Sequence, residues 1–147
     1  MEPRLLHIDF NPSSSITLIE RIIRNCGWDV VVAYNKKTAL GLTVKEEPNL
    51  VLIDLCPEAN DCIPELRNMY IGPIIATGNS EADQELKSYY NLYLTKPIDS
   101  HEFIKLFIDT RILINKSGSD KQTLLAWISG YQKTAPGNTT SLDIEAT

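Results

Sequence analysis

The feature that most restricts how this chain can fold is an alternation that repeats five times. Short apolar runs, most of them ending on a polar residue, take turns with longer segments of helical spacing. Leu5 to Ile8 ends on Asp9, and Leu50 to Ile53 ends on Asp54. Ile74 to Ala76 ends on Thr77-Gly78, and Leu92 to Leu94 ends on Thr95-Lys96-Pro97. The remaining run, Trp28 to Ala33, is rich in β-branched residues. Unbroken apolar runs of this length suit central parallel strands, which are buried on both faces.

The segments between them read as helices. Asn11-Pro12-Ser13 opens the first, with Asn11 or Ser13 as its cap and Pro12 suited to a first turn. Its face is Ile16, Ile19, Ile22, Ile23 and Cys26, and Gly27 stops it. The second covers Lys36 to Glu46 and closes before Pro48; the third covers Ile63 to Tyr70, broken by Gly72-Pro73. A weaker fourth covers Glu81 to Tyr89. Asp99 caps the fifth, with Glu102 placed for a capping box, and Phe103, Leu106, Phe107 and Ile114 give it an apolar face. Strands alternating with helical crossovers predict a three-layer α/β/α domain with a parallel sheet. The expected strand order is 2-1-3-4-5, with the site at the carboxyl ends of the strands.

The domain expected is 1–115. Beyond it, 116–147 reads as a C-terminal extension: a polar linker, a short amphipathic helix at Thr123 to Tyr131 carrying Leu124, Leu125, Trp127 and Ile128, and a disordered tail from Gln132. Trp127 and its leucines read as intramolecular packing, with a homodimer contact as the other use. At 147 residues and 43% hydrophobic, the chain can bury a sizeable core. A net charge of −5 argues against direct nucleic-acid binding. No run is long enough to span a membrane and no signal peptide is visible, so the expectation is a cytoplasmic protein. Cys26, Cys56 and Cys62 lack metal-ligand spacing and there are two histidines, so zinc is not expected and the thiols read as reduced. The Asn138-Thr139-Thr140 sequon reads as chance.

The strand ends carry the chemistry. Strand one delivers Asp9, strand three Asp54, strand four the Thr77 hydroxyl and strand five Lys96. Two carboxylates, an ammonium and a hydroxyl in one cleft can hold a divalent cation and a phosphoryl group. A carboxylate in such a site can act as a nucleophile, forming an acyl phosphate. His7, inside strand one, reads as a buried, hydrogen-bonded core residue.

Over about residues 4 to 113 the sequence resembles the receiver domains of response regulators, the CheY-like (chemotaxis-receiver-like) superfamily of two-component signalling. The resemblance rests on four motifs in order: Leu5-Leu6-His7-Ile8-Asp9, Pro48-Asn49-Leu50-Val51-Leu52-Ile53-Asp54-Leu55, Pro73-Ile74-Ile75-Ala76-Thr77-Gly78 and Tyr93-Leu94-Thr95-Lys96-Pro97. It implies a flavodoxin-like fold and a phosphorelay protein that is itself phosphorylated on Asp54 and is not an enzyme acting on a separate substrate. Asp9, Asp54 and the main-chain carbonyl of Cys56 would hold Mg²⁺. Thr77 and Lys96 would contact the phosphoryl group, and a cis peptide would precede Pro97. Thr77 and Tyr93 would switch the surface of helix four, strand five and helix five. Asp61 matches an acid that often follows the acceptor loop. The implied partners are a sensor histidine kinase or phosphotransfer protein and a downstream effector protein.

The sequence departs from that pattern at Phe10, where the family usually has a second acid, followed by Asn11. A unit charge about 4 Å from a cation is worth roughly 4 kcal/mol at an effective dielectric near 20. Weak Mg²⁺ binding is therefore the expectation, and the alternative is a pseudo-receiver that binds partners without phosphorylation. Phe10 itself reads as a core anchor under the site. The loop Cys56-Pro57-Glu58 shifts the family's usual proline by one residue. A flavodoxin would need glycines where Asn11 to Ser15 has none, and a haloacid-dehalogenase-like phosphatase would need an acid where Asn11 stands.

Overall fold

The computed structural model describes residues 2–11, 14–79, 84–118 and 120–131. Five strands, β1 (Arg4–Ile8), β2 (Asp29–Ala33), β3 (Leu50–Asp54), β4 (Ile74–Gly78) and β5 (Leu92–Thr95), form one sheet in the order β2-β1-β3-β4-β5. Every pairing is parallel. The order is the one the sequence pattern implies, and the fold is the flavodoxin-like, CheY-like arrangement.

Helices α1 (Ser14–Asn25), α2 (Lys36–Glu46), α3 (Pro57–Met69) and α4 (Ser100–Ser117) carry the crossovers and the close of the sheet. An eleven-residue helix, α5 (121–131), follows. Strand periodicity of two divides the core. Leu5, Leu50, Leu52, Ile75 and Leu92 meet Ile23, Phe103 and Phe107 on one face. Leu6, Ile8, Val51, Ile53 and Ile74 meet Ala39, Ala59, Ile63 and Leu66 on the other.

Local chemistry explains most element ends. Asn35 caps α2 by accepting a hydrogen bond from the Thr38 amide at 2.8 Å. The Asp99 carboxylate accepts from the amides of His101 at 2.8 Å and Glu102 at 3.4 Å, as the expected cap of α4. Gly27 ends α1 at φ +90, where a Cβ would meet the Arg111 guanidinium at 2.6 Å.

The structure differs from the sequence reading in three places. α3 begins at Pro57, six residues before the expected Ile63, because proline suits a first turn and Ala59, Cys62, Ile63 and Leu66 share its buried face. In place of the expected helix over Glu81 to Tyr89, the described part holds a single 3-10 turn at Gln84–Leu86. The linker expected from Lys116 begins two residues later, since α4 runs to Ser117 and Gly118 caps it at φ 75. The intramolecular packing expected of Trp127 and its neighbours is present: α5 lies against the first core face with Leu124 and Ile128 fully buried, and Trp127 Nε1 donates to Thr110 Oγ1 at 2.9 Å. The capping candidates Pro12 and Ser13, the start of the fourth helix, and the chain from Gln132 lie outside the described residues.

Candidate functional site

The site forms because four strand ends stop in step. In the register, Asp54 lies beside Thr77 and Gly78 beside Thr95. The chain stays paired just past the strands: the Asp9 amide donates to Ala33 O at 3.0 Å, Leu55 N to Thr77 O at 2.8 Å and Lys96 N to Gly78 O at 2.7 Å. Alternation then aims Asp9, Asp54, Thr77 and Lys96 to the α1–α4 side of the sheet, where all four line one cavity.

Asp54 is the hub. Its Oδ1 accepts from Thr77 Oγ1 at 2.8 Å and lies 2.6 Å from Lys96 Nζ. A charged and a neutral donor thus converge on one oxygen. Asp9 is 7% exposed, and its Oδ1 accepts from the Asn11 amide at 2.8 Å. Burial raises the Asp9 pKa, and the charge of Asp54 adds to that, against the Asn11 hydrogen bond and Lys96. The Lys96-Pro97 peptide is cis, as the resemblance implies.

His7 is buried as expected, at 3% exposure, but its Nδ1 has no hydrogen-bond partner among the described residues. Glu20 Oε2 is 3.7 Å away. Burial lowers the imidazole pKa to about 4, so it is neutral near pH 7. Phe10 does not fold under the site. The same alternation turns it to the opposite face, half-buried against the second core cluster.

Tyr93 also faces that opposite side, with its ring 5.6 Å from Tyr90. Its hydroxyl lies over Gly78, where a Cβ would meet it at 2.2 Å, so glycine is needed there for the tyrosine to reach the strand ends. Burial raises the Tyr93 pKa, and the nearby Asp54 charge raises it further. Cys56 is the N-cap residue of α3, with its thiol 3.2 Å from Glu58 Oε2. Asp61 is exposed on α3. The three cysteines are free thiols.

Asp9 and Asp54 supply hard oxygen donors of the type Mg²⁺ takes, whereas the Cys56 carbonyl accepts from Asn60 N at 2.9 Å as the first hydrogen bond of α3, and Cys56 is not among the residues lining the cavity. Among the described residues, no three His, Cys, Asp or Glu side chains are grouped to hold a metal ion. The donor set fits Mg²⁺ in kind and is one carboxylate short in number. Sequence reasoning missed the inner part of the cavity, where Ile19 and Ile22 of α1 and Phe103 of α4 meet His7 and Leu52. The helical face of α1 and the strand periodicity were the available signals, but the gap between those layers is a tertiary property.

A five-stranded parallel sheet of this order is also the fold of solved CheY-like response-regulator receiver domains. Solved structures of that class are similar to this chain over most of their length. The receiver domain of Francisella response regulator 1452 is 26% identical, with a TM-score of 0.63, covering 79% of this chain and 99% of that one. A receiver domain protein from Methanospirillum hungatei JF-1 is 19% identical, with a TM-score of 0.66, covering 80% and 100%. The chemotaxis response regulator CheY4 of Vibrio cholerae is 20% identical, with a TM-score of 0.63, covering 72% and 96%. No family model matches the sequence. No helix among the described residues is long and apolar enough to cross a membrane.

Proposed function

We propose that this chain is a response-regulator receiver domain that accepts a phosphoryl group on Asp54 in a two-component phosphorelay. The observation that carries this reading is the convergence of Lys96 and Thr77 on one Asp54 oxygen, with Asp9 in the same cleft. In the transfer, an Asp54 carboxylate oxygen attacks phosphorus, and the donor's leaving group departs with the bonding pair. Lys96 pairs with the incoming negative charge, and Thr77 donates its hydroxyl to a phosphoryl oxygen. Bound at Asp9 and Asp54, Mg²⁺ would neutralise charge on that group.

Phosphorylation adds about −1.5 to −2 charges at neutral pH. The switch assigned to this change is a shift of Thr77 toward the phosphate and of Tyr93 with it, which alters the surface around β5, α4 and the 84–90 segment. The partners proposed are a sensor histidine kinase or phosphotransfer protein as donor and an effector protein as target, in the cytoplasm. A homodimer is the second use proposed for the surface around α5. The folding unit is taken to extend past 1–115 to include α5.

Incubation of the full chain with acetyl phosphate and Mg²⁺ should add one phosphoryl group, mapped by mass spectrometry to Asp54, and Asp54→Asn should abolish it. Labelling elsewhere, or normal labelling of the Asn variant, would overturn the assignment. Phe10 favours a second reading, a pseudo-receiver that binds partners without phosphorylation. If the missing acid is the cause of weak Mg²⁺ binding, Phe10→Asp should tighten it by more than about tenfold, part of the roughly 4 kcal/mol upper bound for one added charge. Equal Mg²⁺ affinity in the two proteins, measured by calorimetry, would remove Phe10 as the reason.

A further inference from the structure

The cleft does not stop at Asp54. It continues between the sheet and helices α1 and α4 as a cavity of about 300 Å³. That is the low end of the volumes that hold small ligands, about 300–1,000 Å³. Its inner walls are apolar: Ile22 of α1, Leu52 of β3 and Phe103 of α4. His7 lines the same space, 3% exposed, with its Nδ1 3.7 Å from Glu20 Oε2. A phosphoacceptor needs a carboxylate at the mouth of a cleft, and an apolar chamber behind it serves no step of that chemistry.

Charge indicates what the chamber would take. Lys96 is committed to Asp54 at 2.6 Å. Asp9, 93% buried by area, has no ion pair to a cationic side chain among the described residues. Among the described residues, two carboxylates against one ammonium leave the lining one negative charge in excess. A buried carboxylate without a counter-charge is costly, so an occupant that brings one positive charge is favoured.

We propose that this cavity binds a small organic cation, its ammonium group against Asp9 and its apolar body among Ile22, Leu52 and Phe103. The inference goes beyond the phosphorelay reading and does not require that Asp54 be phosphorylated.

The test uses the full ¹⁵N-labelled chain and 2-phenylethylamine as probe, followed by amide NMR shifts. The expected result is saturable shifts at His7, Ile22 and Phe103. Binding should be at least about tenfold tighter than for 2-phenylethanol, which lacks the charge, or ethylamine, which lacks the body. Asp9→Asn should weaken the amine about tenfold or more and leave the alcohol unchanged. Ile22→Phe, which fills the chamber, should abolish the shifts; if that variant does not fold, Asp9→Asn decides. Competition by Mg²⁺ would support a cation site at Asp9. Absence of saturable shifts, equal affinity for amine and alcohol, or an amine affinity untouched by Asp9→Asn would overturn the proposal. Labelling of Asp54 by acetyl phosphate without amine binding defeats the cavity inference alone. Amine binding without labelling defeats the phosphorelay reading alone.

Discussion

His7 links the site to the stability of the molecule. Its folded pKa is about 4, against 6.5 in the unfolded chain, so between those values the unfolded state holds the extra proton. Stability therefore falls as pH drops from 6.5 toward 4, by up to roughly 3 kcal/mol if the full shift is expressed. Asp9 and Glu20 act the other way: burial raises both, so the folded state takes up their protons first and recovers part of the loss at the acid end. Asp54 and Lys96 face the imidazole with opposite signs. His7→Leu should flatten the dependence, and urea midpoints at neutral pH and at about pH 5 measure it. Equal slopes in the two proteins would show that His7 does not control it. At this scale Asp9, Asp54, Thr77 and Lys96 were legible in the sequence, because each follows an apolar run and parallel strands present their carboxyl ends together. The direction of Phe10 was not read, although it follows from counting alternation past Ile8. The missing Nδ1 partner of His7 was not readable, since it depends on where Glu20 of α1 comes to rest.

Among the elements, α4 shapes the site more than its distance from Asp54 suggests. It begins three residues after Pro97 and places Phe103 in the cavity wall. Its first turn is fixed by the Asp99 carboxylate on two backbone amides. Asp99→Ala should cost about 1 kcal/mol, within the usual 0.5–2 kcal/mol for an N-cap. A chemical-denaturation midpoint checks the loss, and an unchanged midpoint would mean that packing alone sets the helix start. Element ends were readable where side chains set them, as at Gly27 and Asp99. They were misplaced where burial did: Pro57 to Asn60 lacks an apolar run, yet Ala59 is wholly buried beside Cys62 and Ile63. The fourth helix failed for a related reason. Between Leu86 and Asn91, Leu86 and Tyr90 are the buried residues, and a face of two side chains gives a short helix little tertiary support. Arg67 fixes that stretch instead, donating from Nε to Tyr89 O at 3.0 Å and from Nη2 to Asn91 Oδ1 at 3.1 Å.

At the scale of the whole molecule, the sheet order was legible because five strand–helix units leave few unknotted, right-handed windings. The extent of the core was not. The polar stretch after Asn115 looked like an exit from the domain, and on that reading the chain beyond it should be dispensable. Burial of Leu124 and Ile128 argues for the opposite outcome. Both belong to the cluster that holds Phe107 and Ile114, and α5 is tied to its surroundings by Trp127 on Thr110 and by Lys121 over the Tyr70 ring at 5.8 Å. Two fully buried aliphatic side chains contribute about 1.5–3 kcal/mol each. Their sum is comparable to a large part of the roughly 5–15 kcal/mol that holds a domain folded. A chain truncated after Lys116 should therefore melt well below the full-length protein and expose the Phe107 side of α4. In the full chain, Leu124→Ala and Ile128→Ala should each cost about 2–5 kcal/mol, the range for buried aliphatic truncations. Calorimetric unfolding of the three variants, with sedimentation to detect association, separates the outcomes. A truncated monomer as stable as the full chain would show that α5 is an accessory. Loss of stability in step with the two alanine variants would make it part of the fold that carries the site.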